Sequence, residues 1–112
     1  MKKLEIIVKP EKLEKVKRVL DDNGATGAMI SNIMGYGNQK GYTSTYRGSE
    51  IMINLLPKIK VETVTNDENY EQLLNALEEV LSSDSVGAGK IFVYQVEDAI
   101  RVRTREHGDD AL

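Results

Sequence analysis

Two short segments hold the residues best suited to gripping an anion. In Gly87-Ala88-Gly89-Lys90, two glycines let the backbone turn N–H groups toward a negative group, and Lys90 adds a full charge beside them. In Arg101-Val102-Arg103, an extended backbone would put both guanidiniums on one side, about 7 Å apart, a spacing suited to clamping a polyphosphate. Each segment also has a plainer reading. The first could be a tight turn before a strand. The second could be a solvated edge strand protected from aggregation by its charge, with Arg105 continuing the alternation. The first segment is not a Walker loop, because Asp84 stands where the leading glycine belongs and a strand, not a helix, follows.

A third feature is the stretch from Gly37 to Asn54, which shows no clear hydrophobic period over most of its length. Structureless stretches beyond about 12–15 residues are uncommon inside compact domains and are usually functional or disordered. The plainer reading is a flexible hairpin extension. Its content argues for more: Gln39, Lys40, Tyr42, Tyr46 and Arg47 make contacts, unlike the Ser/Gly filler of a linker.

Catalytic constellations are absent from this reading. The single histidine, His107, sits in a Gly/Asp tail and is expected to be solvated. With no cysteine there is no thiolate nucleophile, disulfide or thiolate-bound zinc, and nothing resembles a nucleophile elbow. The acidic residues Glu11, Glu14, Glu71, Glu78 and Glu79 are spread over predicted helix faces. An enzyme is not expected.

The elements that must position these groups follow from periodicity. Lys2 to Lys9 alternates, with Leu4, Ile6 and Val8 on one face of a strand. Pro10 opens a helix whose Leu13, Val16, Val19 and Leu20 recur at helical spacing until Asn23-Gly24. Ala28 to Tyr36 reads as a second strand, and Leu55 to Asn66 as a third that takes shape after Pro57. Asp67 to Ser83 is the strongest helix, with a stripe of Tyr70, Leu73, Leu74, Leu77, Val80 and Leu81 and an Asn66 or Asp67 cap. Ile91 to Val96 is a fourth strand, and Asp98 to Leu112 a short extended piece and polar tail. The order β-α-β-loop-β-α-β predicts an α+β, ferredoxin-like sheet with helices on one face.

At 112 residues the chain is one domain with room for a modest core. Apolar residues at 40% and charged ones at 29% argue against disorder, and a net charge of −3 argues against nucleic acid as a partner. No apolar stretch approaches the roughly 20 residues of a membrane span, so a cytoplasmic protein, not embedded in membrane, is expected.

Taken together, the segments Gly35-Tyr36-Gly37-Asn38-Gln39-Lys40-Gly41, Tyr46-Arg47-Gly48, Leu56-Pro57-Lys58, Gly87 to Val93 and Ile100 to Thr104 resemble the PII signal-transduction family, over essentially the whole chain. The resemblance implies a homotrimer of ferredoxin-like βαββαβ subunits. A T-loop would span 37–55, a phosphate-binding loop 82–90 and a C-terminal loop 101–112. It implies ATP or ADP between neighbouring subunits, with phosphates on Gly87, Ala88, Gly89 and Lys90. Arg101 and Arg103 would come from the adjacent subunit, Gly37, Asn38 and Gln39 would close the site, and Val64 would border the adenine. With Mg2+ and ATP, 2-oxoglutarate would chelate the metal beside Gln39, near Lys40, Gly41 and Gly87, with Lys58 on a carboxylate. No prosthetic group is implied. The T-loop, through Tyr46, Arg47 and Gly48, would control an ammonium transporter, a nitrogen-metabolism enzyme or a transcription factor.

Departures from the family pattern carry expectations of their own. Ile51 stands at the uridylylated tyrosine and removes that switch. Ser49 matches a serine phosphorylated in some cyanobacterial members. Asn38 replaces a usual arginine, and losing one buried, direct phosphate contact would cost about 1.5–3 kcal/mol. Met29 replaces a threonine, Ala88 an aspartate and Arg105 a glycine. A PII-like paralogue with the nucleotide site, a different target (another transporter or a carbon-metabolism enzyme) and no 2-oxoglutarate response is the main alternative. A ferredoxin-like enzyme and an RNA-binding module are weaker, the latter because Leu4 to Val8 carries no stacking aromatics.

Overall fold

The computed structural model describes residues 1–36, 42–46, 49–53, 55–82 and 88–112, with side chains described outside 42–53. Strand β1 is Lys2–Val8, and its alternation is realised in full: Leu4, Ile6 and Val8 are completely buried while Lys3, Glu5 and Ile7 face the other way. A 3-10 turn over Pro10–Lys12, with proline at its first position, leads into α1, Leu13–Asp22. Helix α1 buries Val16, Val19 and Leu20. It stops where Asn23 donates from its backbone to Val19 O and Leu20 O, and Gly24 takes φ +74.

Strand β2 is Met29–Tyr36. The long loop is not structureless as the sequence suggested: β3, Tyr42–Tyr46, pairs antiparallel with β4, Ser49–Ile53, from Tyr42 opposite Ile53 to Tyr46 opposite Ser49. Aromatic and β-branched residues over 42–46 and 51–53 suit strands, and the two strands are two residues apart in sequence, the spacing of a tight hairpin.

Strand β5, Leu55–Thr65, starts before Pro57 and carries it opposite Met34. At that end β5 has only β2 as a neighbour, because its pairing with β1 begins at Ile59 opposite Val8. Proline's missing N–H is tolerated there, as on an edge. Helix α2, Asp67–Leu81, is capped by Asn66, whose side chain accepts the Asn69 N–H at 2.8 Å, and it buries Leu73, Leu77 and Leu81. Strand β6 is Lys90–Gln95.

The sheet order is β2-β5-β1-β6 with all neighbours antiparallel. Two βαβ units therefore interleave, β5 lying between β1 and β2, and β1 between β5 and β6. This is the ferredoxin-like arrangement the periodicity implied. Both helices cover the face carrying Leu4, Ile6, Ile59 and Val61, which form the core. The last segment departs from the expected polar tail: β7, Ile100–Arg101, pairs with β8, Glu106–His107, and a 3-10 turn follows over Gly108–Ala111.

Candidate functional site

The register sorts the candidate residues between two ends of the sheet. Lys90 pairs with Ile7, while Thr65 and Gln95 both pair with Lys2. Five strand residues, about 17 Å, separate these levels.

The first end carries Ala88, Gly89 and Lys90. Gly89 has φ +143, and a Cβ there would lie 2.9 Å from Ile7 O and 3.1 Å from Val8 Cγ1. Only glycine lets the chain pass this close to β1 and enter β6. A cleft of about 500 Å³ opens beside it, lined by Glu78, Ser82, Ala88, Gly89, Lys90 and Ile91. Lys90 is exposed and, among the described residues, makes no ion pair. At the same end β2 and β5 run on to Tyr36 opposite Leu55. Lys58 lies here, half-buried, with its Cγ and Cε 3.1 and 3.5 Å from where a Gly35 Cβ would be. The absence of a side chain at Gly35 makes room for that stem. Gly37, Asn38, Gln39, Lys40, Gly41, Arg47, Gly48 and Gly87 lie outside the described residues, as do the side chains of Tyr46, Ser49 and Ile51.

The opposite end carries Val64, opposite Lys3, and Arg101 is tied to it through its bond to Leu112 O. Val64 lines a cleft of about 200 Å³ with Gly27, Ala28, Met29, Glu62 and Thr63. The Thr63 hydroxyl, almost fully buried, donates to Gly27 O at 2.6 Å and ties that rim to β5. A smaller hollow of about 80 Å³ joins Gly24, Thr65 and Asn66 to Asp109 and Leu112, so the C-terminal segment docks here.

The expected extended pair of arginines is not formed. Arg101 ends β7, but Arg103 lies in the turn 102–105, closed by Arg105 N–H donating to Arg101 O at 2.7 Å. Arg105 takes φ +63, the left-handed region that favours glycine. Local hydrogen bonding in this hairpin overrides the alternation of Arg101, Arg103 and Arg105. His107 is exposed as expected yet partnered: its Nδ1 lies 3.1 Å from Asp98 Oδ2, and Asp98 Oδ1 accepts the N–H groups of Ala99 and Gly108. A carboxylate only accepts, so Nδ1 carries the proton. These bonds, His107 first, hold the Asp98 carboxyl below its ordinary range.

The open face of the sheet carries charge: Lys3 bonds Glu62 at 2.7 Å, Lys60 lies 3.7 Å from both Glu5 and Glu62, and Tyr94 OH donates to Glu5 at 2.7 Å. The Lys3 bond pulls the Glu62 carboxyl down, and Glu62 pushes the Lys3 ammonium up. The bond to Glu5 raises the Tyr94 phenol. Met29 and Phe92 are exposed on this same face, whereas Met34, Tyr36 and Leu55 are exposed on the helix-side face beyond Ile59, and Ile100 and Val102 on the C-terminal hairpin.

Sequence reasoning missed Gly27, Ala28, Thr63, Asp98 and Glu106. The one usable signal was Thr63, a polar residue at a core-facing position of β5.

A ferredoxin-like α+β domain with cationic residues toward both sheet ends, one uncovered sheet face and a β3–β4 ribbon inserted between β2 and β5 is the class this structure defines. The family model for nitrogen regulatory protein P-II matches residues 1–106. The nitrogen regulatory protein P-II of Pasteurella multocida is 47% identical, and that of Rhodospirillum rubrum 45%, each over all 112 residues of both chains. The structure of B. subtilis GlnK superimposes with a TM-score of 0.80 at 38% identity, covering 99% of this chain and 97% of that one. A B. subtilis GlnK–ATP complex gives 0.79 at 37% identity, covering 99% and 96%. The chain belongs to the nitrogen regulatory protein P-II family. Members of this family are signalling regulators that act on partner proteins and are not enzymes.

Proposed function

We propose that this protein is a homotrimeric sensor that binds ATP or ADP between subunits and passes the bound state to a target through its T-loop. The observation that carries the reading is the split of its cations. In one chain Lys90 lies at one end of the sheet and Arg101 toward the other, so a common phosphate needs Ala88 to Lys90 of one copy and Arg101 and Arg103 of the next. Exposed apolar residues along β2 and after β6 suit burial against such copies. The ATP complex of B. subtilis GlnK supports nucleotide as the ligand.

In this reading Gly37, Asn38, Gln39, Gly87, Ala88, Gly89 and Lys90 line the phosphate side, and Val64 with Met29 the base side. Gln39 would hold Mg2+ with ATP and 2-oxoglutarate, Lys58 a ligand carboxylate, and Lys40, Gly41 and Gly87 its surroundings. Tyr46, Arg47 and Gly48 would contact an ammonium transporter, a nitrogen-metabolism enzyme or a transcription factor in the cytoplasm. Ser49 is the loop's candidate for phosphorylation. Among the described residues no helix is long and apolar enough to cross a membrane, so a transporter would be met from outside the bilayer. Differential binding of the loop's shapes is what makes such a switch work.

Titration calorimetry with ATP, ADP, and then 2-oxoglutarate plus Mg2+, alongside sedimentation equilibrium, tests the proposal. A trimer with nucleotide heat supports it, and no heat at high micromolar nucleotide overturns it. Met29, exposed on the cleft rim, keeps a second reading in play: a paralogue that binds nucleotide, ignores 2-oxoglutarate and serves another target.

A further inference from the structure

Arg101 is already occupied. Its Nη1 lies 3.3 Å from Glu106 Oε1, and its Nη2 donates to Leu112 O at 2.9 Å. Register builds this contact, since Arg101 and Glu106 are directly paired residues of β7 and β8. The 3-10 turn after His107 then brings the chain back so that Leu112 meets the same guanidinium. Arg103 and Lys90, the other cations assigned to the anion site, have no ion pair among the described residues.

We propose that Glu106 is a built-in counter-anion for Arg101, which an arriving phosphate group has to displace, so that Glu106 sets the affinity of the anion site. The inference rests on the nucleotide reading above and adds to it a residue that opposes binding. A guanidinium offers its donors in a fixed fork, and here one arm is engaged by a carboxylate and another by a main-chain oxygen. A phosphate that binds through Nη1 must replace the carboxylate's bond, and one that takes the remaining donors still sits beside its negative charge. Both partners are about two-fifths exposed, 39% for Arg101 and 43% for Glu106, so water screens the pair and the effect is modest. Removing the Glu106 charge should tighten binding about two- to fivefold at low salt.

Glu106 is not what holds the hairpin together. Arg105 N–H bonds Arg101 O, Gly108 N–H bonds Ala99 O at 2.9 Å, and Asp98 clasps His107 and Gly108. A neutral residue at 106 should therefore leave the fold intact.

The test is calorimetric titration of ATP and of inorganic tripolyphosphate into the full-length protein, Glu106→Gln, Glu106→Thr (a neutral residue suited to a strand) and Glu97→Gln as a charge control. Both position-106 variants should bind both ligands about two- to fivefold more tightly, Glu97→Gln should match the parent, and the gain should fade at about 0.5 M salt. If one position-106 variant fails to fold, the other carries the same comparison. Equal or weaker binding by folded position-106 variants, with normal ATP binding by the parent, overturns the counter-anion and leaves the nucleotide reading standing. Failure of parent and variants to bind either ligand overturns both. Binding by the variants alone supports the counter-anion and shows it strong enough to mask the site.

Discussion

Replacing Gly89 with alanine tests the geometry with which the chain enters β6. At φ +143 the backbone occupies a region that essentially only glycine visits, where a side chain costs about 1–3 kcal/mol. The new Cβ would also stand 2.9 Å from Ile7 O and 3.1 Å from Val8 Cγ1. Neither neighbour yields easily, since Ile7 O is main chain in β1 and Val8 is fully buried in the core. The start of β6 would have to draw away from β1, weakening a ladder bond worth about 1 kcal/mol. The combined loss is about 2–4 kcal/mol, or roughly 10–25 °C in the thermal midpoint of a domain this size. Gly24→Ala provides the matched control: φ there is +74, but nothing lies within 4 Å of the added methyl. It should lose only about 1 kcal/mol. Urea denaturation followed by circular dichroism, at one protein concentration because assembly couples to stability, measures both. If the two variants fall within about 0.5 kcal/mol of each other, the close approach of Gly89 to β1 is not what the sheet depends on, and the reasoning fails.

Three further outcomes follow from particular contacts. Arg105→Gly removes a side chain from φ +63 and should stabilise the protein by about 0.5–1 kcal/mol, a change that denaturant midpoints would resolve and that a loss of stability would refute. Thr63→Val leaves Gly27 O without its 2.6 Å bond and should cost about 1–2 kcal/mol while loosening the rim beside Val64; unchanged hydrogen exchange at Ala28 and Met29 would argue against that tie. The Asp98 clasp should fail in acid. Its carboxyl sits below the ordinary value of 3.8, so its contribution is complete at neutral pH and lost as pH falls through the lowered value, in a window below about pH 4. The His107 ring resonances and the Gly108 amide exchange rate should both change there, and a flat response down to pH 2 would contradict the clasp.

Periodicity alone made the four-stranded sheet and both helices legible, because burial of one face imposes a repeat of two on strands and of 3.6 on helices. Leu4, Ile6 and Val8, and Leu73, Leu77 and Leu81, occupy the core as that rule demands. Residue chemistry alone also marked the cations and glycines of the proposed anion site, since charge at Lys90, Arg101 and Arg103 and conformational freedom at Gly89 are properties of the residue types. Tertiary structure decided where they stand. Pairing register placed Lys90 at one end of the sheet, and docking of the C-terminal segment beside Thr65 and Asn66 put Arg101, bonded to Leu112 O, toward the other, a relation between residues far apart in sequence that no local pattern encodes. Local hydrogen bonds turned the arginine run into a hairpin and set Glu106 against Arg101, because main-chain donors and acceptors that find partners there outweigh a simple alternation of side chains.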